Sequence, residues 1–421
     1  MAGHERPGPT VPLEEARRQL LSSLNRLAPR SVPLDQALGA VVAAPVIAAE
    51  DVPAFTNAAM DGYAVRAEDA REAPCRLRIV GEVTAGHSAD APLGPGQAMV
   101  ITTGAPMPPG SDAICMIEYT TLEGDNVVLE AAVRTGQHVR YAGEDVSNGN
   151  VVCDSGIEIR PVHIGVLASI GVLEVIVYPR GRVGVLSTGD EIRMDPGPLG
   201  RGQIRDSNRH ALLALVRTAG CDPVDLGVVG DDESGIAAAI EGAARDCDAV
   251  ITSGGVSMGV ADHMKTVLGR LSGGSAHWME VAIKPGKPFG FATIGPGDTP
   301  VLCMPGNPVS AMVSFELLAR SALRFMMGHT VLERPRLIAT VEKPLVRHPD
   351  GKLHLVRVVV SVGEGRLLAR PVGGQGSHQL RSMALANALA FLPDGKGIDA
   401  GETVPVMLLE PDAVPATESG P

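Results

Sequence analysis

The chain has 421 residues and carries 36 lysines and arginines against 48 aspartates and glutamates, a formal net charge of −12. This length predicts roughly two to four domains and excludes a small stapled scaffold. The acidic balance argues against nucleic acid as a partner, although a local basic pocket remains compatible with it. The 50 glycines and 33 prolines predict many short elements joined by tight, shaped loops.

Two features predict a cytoplasmic protein without membrane insertion. The most apolar early segment, residues 37–49, contains Gly39 and Pro45 and is shorter than the ~20 residues that a spanning helix needs. The six cysteines form no Cys-x-x-Cys pair, which favours buried free thiols in a reducing compartment over disulfides or metal ligands.

The chain opens with a helical pattern and continues into a β-rich module. Pro12 stands at a first-turn position, and leucines then recur at helical spacing up to Leu24. Short β-prone runs separated by turn pairs occupy residues 77–152. Alternating apolar runs from Pro335 onward predict a final β-rich domain, and we expect disorder after Glu410.

In the central segment, from residue 182 onward, strand-like apolar runs alternate with helical patterns. The helical patterns cover residues 208–218, 234–244, 264–271 and 309–327. Such alternation predicts a mostly parallel sheet with helices on both faces. The fold class that we expect is therefore α/β plus β-rich domains, with the α/β part at the centre of a multidomain subunit.

Every unusual loop of the α/β segment comes directly after a predicted strand. In chain order these loops read STGDE, GDD, SGGVSMG, KPGKP and PGNP. Because the carboxyl ends of parallel strands form the ligand crevice of an open α/β sheet, we expect the five loops to converge on one edge.

Two of these loops suit an anion. SGGVSMG, residues 253–259, brings backbone N–H groups and a helix N-terminus together, although a tight turn alone also explains it and no nucleotide-binding fingerprint is matched. Lys284 and Lys287 share a turn framed by prolines, so a phosphate or similar tetrahedral oxyanion would relieve their repulsion. An ordinary solvated lysine pair is the alternative.

The acidic loops suggest a divalent cation. Carboxylates at a phosphate-binding edge would repel the ligand unless a hard cation bridges them, and Mg²⁺ is the usual bridge. The carboxylates that follow strands here are Glu191, Asp231 and Asp262. Helix capping or a first-turn position is the alternative for each one. We expect that alternative for Asp190, Asp232 and Glu233.

The remaining polar motifs are weaker on their own. Capping by Asn307, with Pro308 in the first turn, would explain PGNPVS completely. Outside the α/β segment, three polar clusters stand out because they are too polar for plain loops. They are NAAMDGYA with Asp61, TTGAPMP with Thr103, and YAGEDV with Glu144 and Asp145. If these clusters are catalytic, the site lies at a domain or subunit interface.

Ten motifs of the chain read, in order, FTNAAMDGYAVR, GEVTAGHSA, VITTGAPMPPGSDAI, GEDV, GVLSTGDE, DSNRHAL, SGGVSMGVADH, IKPGKPFGFA, PGNPVSAMVSFE and SMALANALAFLP. In this order and spacing they resemble the MoeA and gephyrin E-domain family, the molybdopterin molybdenumtransferases, over residues from about 10 to 410. The resemblance implies insertion of molybdate into adenylylated molybdopterin, with Mg²⁺ or a similar divalent cation, and release of AMP. Molybdate is itself a tetrahedral oxyanion.

The resemblance also implies an elongated homodimer of four-domain subunits, with an α/β domain of the molybdopterin-binding fold and an active site shared across the dimer. On this pattern residues 1–50 and 145–180 form linking domain I, residues 51–144 a small β-rich domain II, and residues 181–330 the α/β domain III. Residues 331–412 form the β-rich domain IV, before a tail at residues 413–421.

The site residues that the resemblance implies fall into three groups. The catalytic group is Asp61, Thr103, Asp145, Glu191, Asp231, Asp262, Lys284 and Lys287. The metal-associated group is Glu191, Asp231 and Asp262. The substrate-binding group is Gly254, Gly255, Ser257, Pro305, Pro308, Ser310, Arg357 and Ser382, of which the last two resemble a position where molybdate first binds. Arg205 and His263 depart from the family pattern, which often has a tyrosine and another aromatic residue there.

Two other functions stay open at this point. A gephyrin-like scaffold could keep the fold and bind partner proteins through its dimer surface, with or without activity. An adenylyltransferase acting one step earlier on molybdopterin would use the same α/β fold, although the long flanking domains count against it. Retention of the acidic and lysine loops favours the molybdenum insertase.

Overall fold

The computed structural model describes residues 10–254, 263–363, 365–410 and 413–415. These residues divide into two compact units. The first unit takes the described residues among 1–30, 39–41 and 178–421, and the second unit takes residues 31–38 and 42–177. The finer division into domains I to IV stays a prediction.

The second unit is built around a six-stranded sheet. In spatial order its strands are Thr120–Glu123, Asn126–Leu129, Cys75–Val83, Gln97–Ile101, Gly62–Val65 and Ala113–Met116. Alternate side chains of these strands are buried in two clusters, since Tyr63 and Val65 belong to one cluster while Ala64 belongs to the other. The β-rich character predicted for residues 77–152 is therefore confirmed, and the sheet also takes in Gly62–Val65, which precede that range.

Shorter elements complete the second unit. The strand Asn57–Ala58 pairs with Val139–Arg140, and the strand Val46–Ile47 pairs with Val151–Cys153. The strands Arg30–Pro33, Val41–Val42 and Glu174–Tyr178 lie where the chain passes from one unit to the other, and a helix spans Pro161–Ser169.

The first unit contains a seven-stranded sheet. Its strands are β1 (Thr10–Val11), β2 (Arg182–Thr188), β3 (Asp222–Val229), β4 (Ala249–Ser253), β5 (His277–Val281), β6 (Pro288–Ile294) and β7 (Thr299–Met304). They lie in the order β1-β5-β6-β7-β4-β2-β3. Only β6 runs against its neighbours, so the sheet is mostly parallel, as the alternating pattern predicted.

Helices cover both faces of this sheet. They are α1 (Leu13–Ser22), α2 (Asn208–Thr218), α3 (Glu233–Asp246), α4 (His263–Leu271), α5 (Pro308–Ser314) and α6 (Arg320–Met326). Neighbouring residues of one strand enter opposite cores: Val185 packs with α1, α2, α5 and α6, whereas Leu186 packs with α3 and α4. The helix predicted over residues 309–327 is present, but Phe315–Ala319 form a π-helical turn between α5 and α6.

The final β-rich part is a closed five-stranded barrel. Its strands are β8 (Arg336–Val341), β9 (Leu353–Gly363), β10 (Arg366–Pro371), β11 (Ala388–Leu392) and β12 (Thr403–Leu408). The pairings β9–β10, β10–β8, β8–β12, β12–β11 and β11–β9 close the ring, which leaves no free edge. Valine, alanine and leucine side chains fill its interior.

The outer face of the barrel packs against the α/β part. Val358 and Val360 of β9 point into the barrel interior, whereas Leu355 of the same strand joins the core cluster of the α/β part. Phe391 of β11 and Met407 of β12 join that cluster as well. Arg357, two residues after Leu355, therefore lies on the row of β9 that faces away from the barrel interior.

Candidate functional site

Five loops share one edge of the seven-stranded sheet. Strands β2, β3, β4 and β7 are parallel, and β5 runs in the same direction as β7 because β6 is antiparallel to both. The loops after these strands contain STGDE, GDD, the start of SGGVSMG, KPGKP and PGNP. Their convergence is confirmed for the residues that the structure describes. The predicted site residues Gly255, Ser257 and Asp262 lie outside the described residues.

Gly254 brings neighbouring loops into close contact. Its φ is +98°, and a Cβ there would lie 2.5 Å from the carbonyl oxygen of Thr188 at the end of β2. A Cβ on Gly306, in the loop after β7, would lie 3.9 Å from Gly254 Cα. The loops after β2, β4 and β7 therefore meet around Gly254, where a side chain would clash with the end of β2.

The acidic loops after β2 and β3 are joined by a hydrogen bond. The backbone N–H of Asp231 donates to Asp190 Oδ1 at 3.0 Å, which places Glu191 and Asp231 on adjoining loops. Both residues are exposed. Within the described ranges, no group of three or more His, Cys, Asp or Glu side chains has metal-binding geometry. The metal assignment of Glu191 and Asp231 stays a prediction.

The capping expectations for the neighbouring acids have mixed outcomes. Asp232 is the N-cap of α3 and accepts hydrogen bonds from the Ser234 hydroxyl at 2.6 Å and the Gly235 N–H at 2.7 Å, which lower its pKa. Glu233 lies in the first turn of α3, as expected, and its Oε1 is 3.4 Å from Nδ1 of His263. The expectation for Asp190 is wrong, because the short strand Ile192–Arg193 follows it rather than a helix.

Both lysines of the KPGKP loop are held by carboxylates. Lys287 Nζ lies 2.7 Å from Glu280 Oε1 in β5, and Lys284 Nζ lies 3.5 Å from Asp350 Oδ2 in the barrel region. The short strand Ile283–Lys284 also pairs with the start of β9. The lysine pair is therefore not simply solvated, and the loop is fixed to the barrel.

Sequence reasoning missed Glu280 and Asp350. Glu280 could have been noticed as a charged residue near the end of a strand, between the buried apolar residues Met279 and Val281. Asp350 carries no such signal, because its pairing with Lys284 depends on how the barrel packs against the sheet edge.

The loop after β7 connects the sheet edge to the barrel. Asn307 occupies the N-cap position of α5 and Pro308 its first turn, as predicted, but Asn307 makes no side-chain capping hydrogen bond. Pro305 and Ser310 are buried. The backbone N–H of Val309 donates to the carbonyl oxygen of Ser377 at 3.0 Å. This bond joins the PGNP loop to the segment that surrounds Arg357.

Arg357 is fully buried, with a relative exposure of 0%. Its Nη2 donates to the carbonyl oxygens of Gly374 at 2.8 Å and Gly376 at 3.2 Å, while Nε and Nη1 have no partner within the described structure. Burial lowers the pKa of this guanidinium. A buried cation with two unpartnered nitrogens is suited to an anionic ligand.

Ser382 belongs to the same enclosure. It lies on the short helix α7 (Leu380–Leu385), and a Cβ on Gly373 would lie 3.4 Å from Ser382 Cβ. Its hydroxyl donates to the carbonyl oxygen of Gln379 at 2.7 Å. Gln379 Oε1 in turn accepts the N–H of Gly376. The structure therefore brings Arg357 and Ser382 to one glycine-rich loop, residues 373–379.

In the second unit, Asp61 and Thr103 are directly bonded. The backbone N–H and the hydroxyl of Thr103 both donate to Asp61 Oδ1, at 2.6 and 2.9 Å. These bonds, led by the one from the backbone, lower the pKa of Asp61. Asp145 is exposed on a loop whose backbone N–H groups donate to Val52. All three side chains are open to solvent within this unit.

The Arg205 guanidinium is hydrogen-bonded to backbone carbonyl groups of a neighbouring loop. Its guanidinium donates to the carbonyl oxygens of Asp195 and Gly197, and to that of Pro196 at 3.4 Å. These hydrogen bonds therefore stabilise the exposed loop between the strands Ile192–Arg193 and Ile204–Arg205.

All six cysteines are free, as expected, and five of them are buried. No helix within the described ranges combines the length and the apolar character needed to span a bilayer.

Three family models match the chain in succession. The MoeA N-terminal region (domain I and II) matches residues 11–171, and the probable molybdopterin binding domain matches residues 184–324. The MoeA C-terminal region (domain IV) matches residues 345–409.

Full-length relatives and a solved structure agree with these matches. Molybdopterin molybdenumtransferase 2 of Mycobacterium tuberculosis (strain ATCC 25618 / H37Rv) is 38% identical, covering 91% of this chain and 95% of that protein. Molybdopterin molybdenumtransferase of Haemophilus influenzae is 36% identical, covering 94% of this chain and 97% of that protein. The crystal structure of molybdopterin biosynthesis moeA protein from Pyrococcus horikoshii OT3 is similar with a TM-score of 0.81 and 31% identity, covering 95% of this chain and 100% of that one.

Proposed function

Since the chain belongs to the MoeA family of molybdopterin molybdenumtransferases, we propose that it inserts molybdate into adenylylated molybdopterin and releases AMP. It is a transferase of molybdenum cofactor biosynthesis. The finer parts of the proposal are molybdate as the molybdenum donor and a divalent cation as the cofactor. Residues of this chain support each of them.

The buried guanidinium of Arg357 is the observation that carries the oxyanion part. Keeping a desolvated cation with two unpartnered nitrogens inside a protein is costly. A tetrahedral oxyanion would supply both the negative charge and the acceptor oxygens. The Ser382 hydroxyl and the 373–379 loop would border that anion, and Val309 links the loop to the sheet edge. Molybdate suits this environment by its charge and its acceptor oxygens.

The sheet edge would hold the phosphate-bearing substrate. Lys284 and Lys287 pair with Asp350 and Glu280, and their side chains are still 61% and 43% exposed, so an arriving anion can reach both ammonium groups. Gly254 lets backbone groups approach a ligand closely, and Pro305, Pro308 and Ser310 shape the adjoining loop. In this arrangement the chain positions two anions for reaction rather than supplying a nucleophile of its own.

Glu191 and Asp231 fit a magnesium ion by their chemistry. They are exposed carboxylates on adjoining loops, and hard oxygen ligands are what Mg²⁺ prefers. We propose that they hold the cation together with Asp262. When bound, Mg²⁺ would supply electrostatic stabilisation of phosphate charge. The lysines remain the chain's own means of binding the same charge.

The remaining parts of the proposal concern the oligomeric state and the cellular compartment. Asp61, Thr103 and Asp145 are proposed to act in the reaction through the second unit, in a homodimer. Light scattering of the purified protein measures that state directly, and a monomer at working concentrations would remove the dimer from the proposal. Six free thiols are compatible with a reducing cytoplasm, which we propose as the compartment.

Equilibrium dialysis with molybdate tests the Arg357 assignment. Wild type should bind molybdate, and Arg357→Gln should lose most of that binding. Arg381→Gln is the matched control, since Arg381 is exposed on α7 close to the same loop. Melting curves of each variant report whether the fold is retained. Unchanged molybdate binding by a folded Arg357→Gln protein would remove Arg357 from the proposal.

A scaffold function is not favoured. The relatives that match nearly the whole chain are named for the transferase.

A further inference from the structure

We propose that Asn208 is a positioning residue, whose side chain holds the loops after β4 and β7 together at the sheet edge. The inference rests on the proposed function, because it gives the DSN motif a role toward the same site. In this role Asn208 contacts the two loops and not the substrate.

The carboxamide of Asn208 bridges two loops with a single nitrogen. Nδ2 donates to Ser253 Oγ at 2.8 Å and to the carbonyl oxygen of Gly306 at 2.7 Å. Ser253 is the last residue of β4, directly before Gly254, and Gly306 lies within PGNP. An amide nitrogen carries two hydrogens in a fixed plane, so it can serve two acceptors at once. Neither an aspartate nor a serine can do so.

Asn208 is itself anchored to β2 through Asp206. The buried Asp206 carboxylate accepts the hydroxyl of Ser187 in β2 at 3.1 Å, the backbone N–H of Arg209 at 3.1 Å and Arg209 Nε at 2.7 Å. Arg209 also pairs with Asp225 of β3. The start of α2 is therefore fastened to β2 and β3, while Asn208 reaches across to the loops after β4 and β7.

The two Asn208 bonds contribute little to the core that holds α2 in place. Leu212 and Val216 of α2 are fully buried in the main core cluster, whereas Gly306 is exposed. Loss of the Asn208 side chain should therefore leave the helix docked and release the two loops. Both loops carry proposed ligand-binding residues, Gly254 and Pro305, and small displacements of such groups slow catalysis strongly.

Hydrogen exchange of the full chain tests this role directly. Asn208→Asp keeps the shape of the side chain but turns a donor into an oxygen that faces the Gly306 carbonyl oxygen. Asn208→Ala removes both bonds without that repulsion and serves if the aspartate variant is poorly folded. Asn126→Asp, in a hairpin of the second unit, makes the same chemical change away from these loops.

The expected result is faster exchange confined to two places. Peptides that contain Gly254 or Gly306 should exchange roughly tenfold faster in Asn208→Asp, while peptides from α2 and the barrel keep wild-type rates. In a molybdenum insertion assay, kcat should fall roughly tenfold to a hundredfold with a smaller change in KM. Asn126→Asp should match wild type in both measurements.

Two results would overturn the proposal: unchanged exchange in both loops of a folded Asn208 variant, or faster exchange there with an unchanged kcat. The exchange experiment needs no substrate. If the wild-type protein inserted no molybdenum, the proposed function would fail while the exchange data would still decide whether Asn208 holds the loops.

Discussion

Lys284 Nζ lies 3.5 Å from Asp350 Oδ2, so a lysine at the sheet edge is held by a carboxylate next to the barrel. Asp350 also accepts Arg347 Nη2 at 2.8 Å and lies 3.0 Å from Nε2 of His354. Arg347 is almost completely buried and further binds Asp394. Asp350 therefore links the KPGKP loop to a charged cluster that belongs to the barrel.

Asp350→Asn should remove a stabilisation that the wild-type protein has at neutral pH and loses in acid. Burial opposes the charged form of Asp350, but His354, Lys284 and Arg347 together hold its pKa at about 2. Because this value is below the ordinary one, the carboxylate stabilises the fold above about pH 4 and stops doing so as the pH falls through its folded pKa. Urea unfolding of both proteins from pH 2 to pH 7 should show their difference shrinking in acid. A difference that stays constant over that range would contradict the assignment.

Gly254→Ala should destabilise the protein more than Gly202→Ala. Both glycines have positive φ, at +98° and +85°, but a Cβ on Gly202 would meet open space. We expect about 1 kcal/mol for the backbone conformation in each variant. The close approach to Thr188 should add roughly 1–3 kcal/mol for Gly254. Urea unfolding measures both losses, and equal losses would show that the loops after β2 and β4 are not in contact.

Buried thiols should resist alkylation in the native protein. Burial raises the pKa of Cys221 to about 12 and that of Cys115 to about 11. Iodoacetamide at pH 8 should therefore modify the partly exposed Cys75 first and leave Cys221 unmodified until urea unfolds the chain. Mass spectrometry of peptides after timed reaction resolves the order. Native-state modification of Cys221 at the unfolded rate would contradict this burial.

Thr103→Val should raise the pKa of Asp61 towards its ordinary value. The substitution removes the hydroxyl bond to Asp61 Oδ1 and leaves the backbone bond, so a partial rise is expected. Thr102→Val is the matched control, because the Thr102 hydroxyl accepts the N–H of Ala85 instead. Carboxyl carbon chemical shifts followed by NMR over pH report the value. An unchanged Asp61 titration in Thr103→Val would mean that the hydroxyl bond is absent in solution.

The sequence predicted the sheet edge well because local signals coincide there. Helix α2 begins and ends where its apolar spacing predicted, at residues 208 and 218. Each Gly- or Pro-rich loop follows a strand, and strand direction then determines where the loops meet. The N-cap position of Asp232 was likewise readable from the acid before the first apolar turn.

The structural features that the sequence patterns could not predict depend on contacts between segments that are far apart in the chain. Closure of the barrel requires β9 to pair with both β10 and β11, which alternating apolar residues do not specify. Arg357 was identified only through the family resemblance. It lies on the row of β9 that faces away from the barrel interior, where the apolar pattern gives no reason to expect a charged residue. The π-helical turn at Phe315–Ala319 could not be predicted from the sequence either, because its residues are all buried and have the composition of an ordinary helix.

Reconstitution with purified components tests the molybdenum insertase activity most directly. The protein receives adenylylated molybdopterin, Mg²⁺ and molybdate, and both AMP release and activation of an apo-molybdoenzyme are measured. A molybdenum insertase should produce AMP and active cofactor in equal amounts and only when molybdate is present. AMP release without molybdate, or no activation of the apoenzyme by the wild-type protein, would contradict this activity.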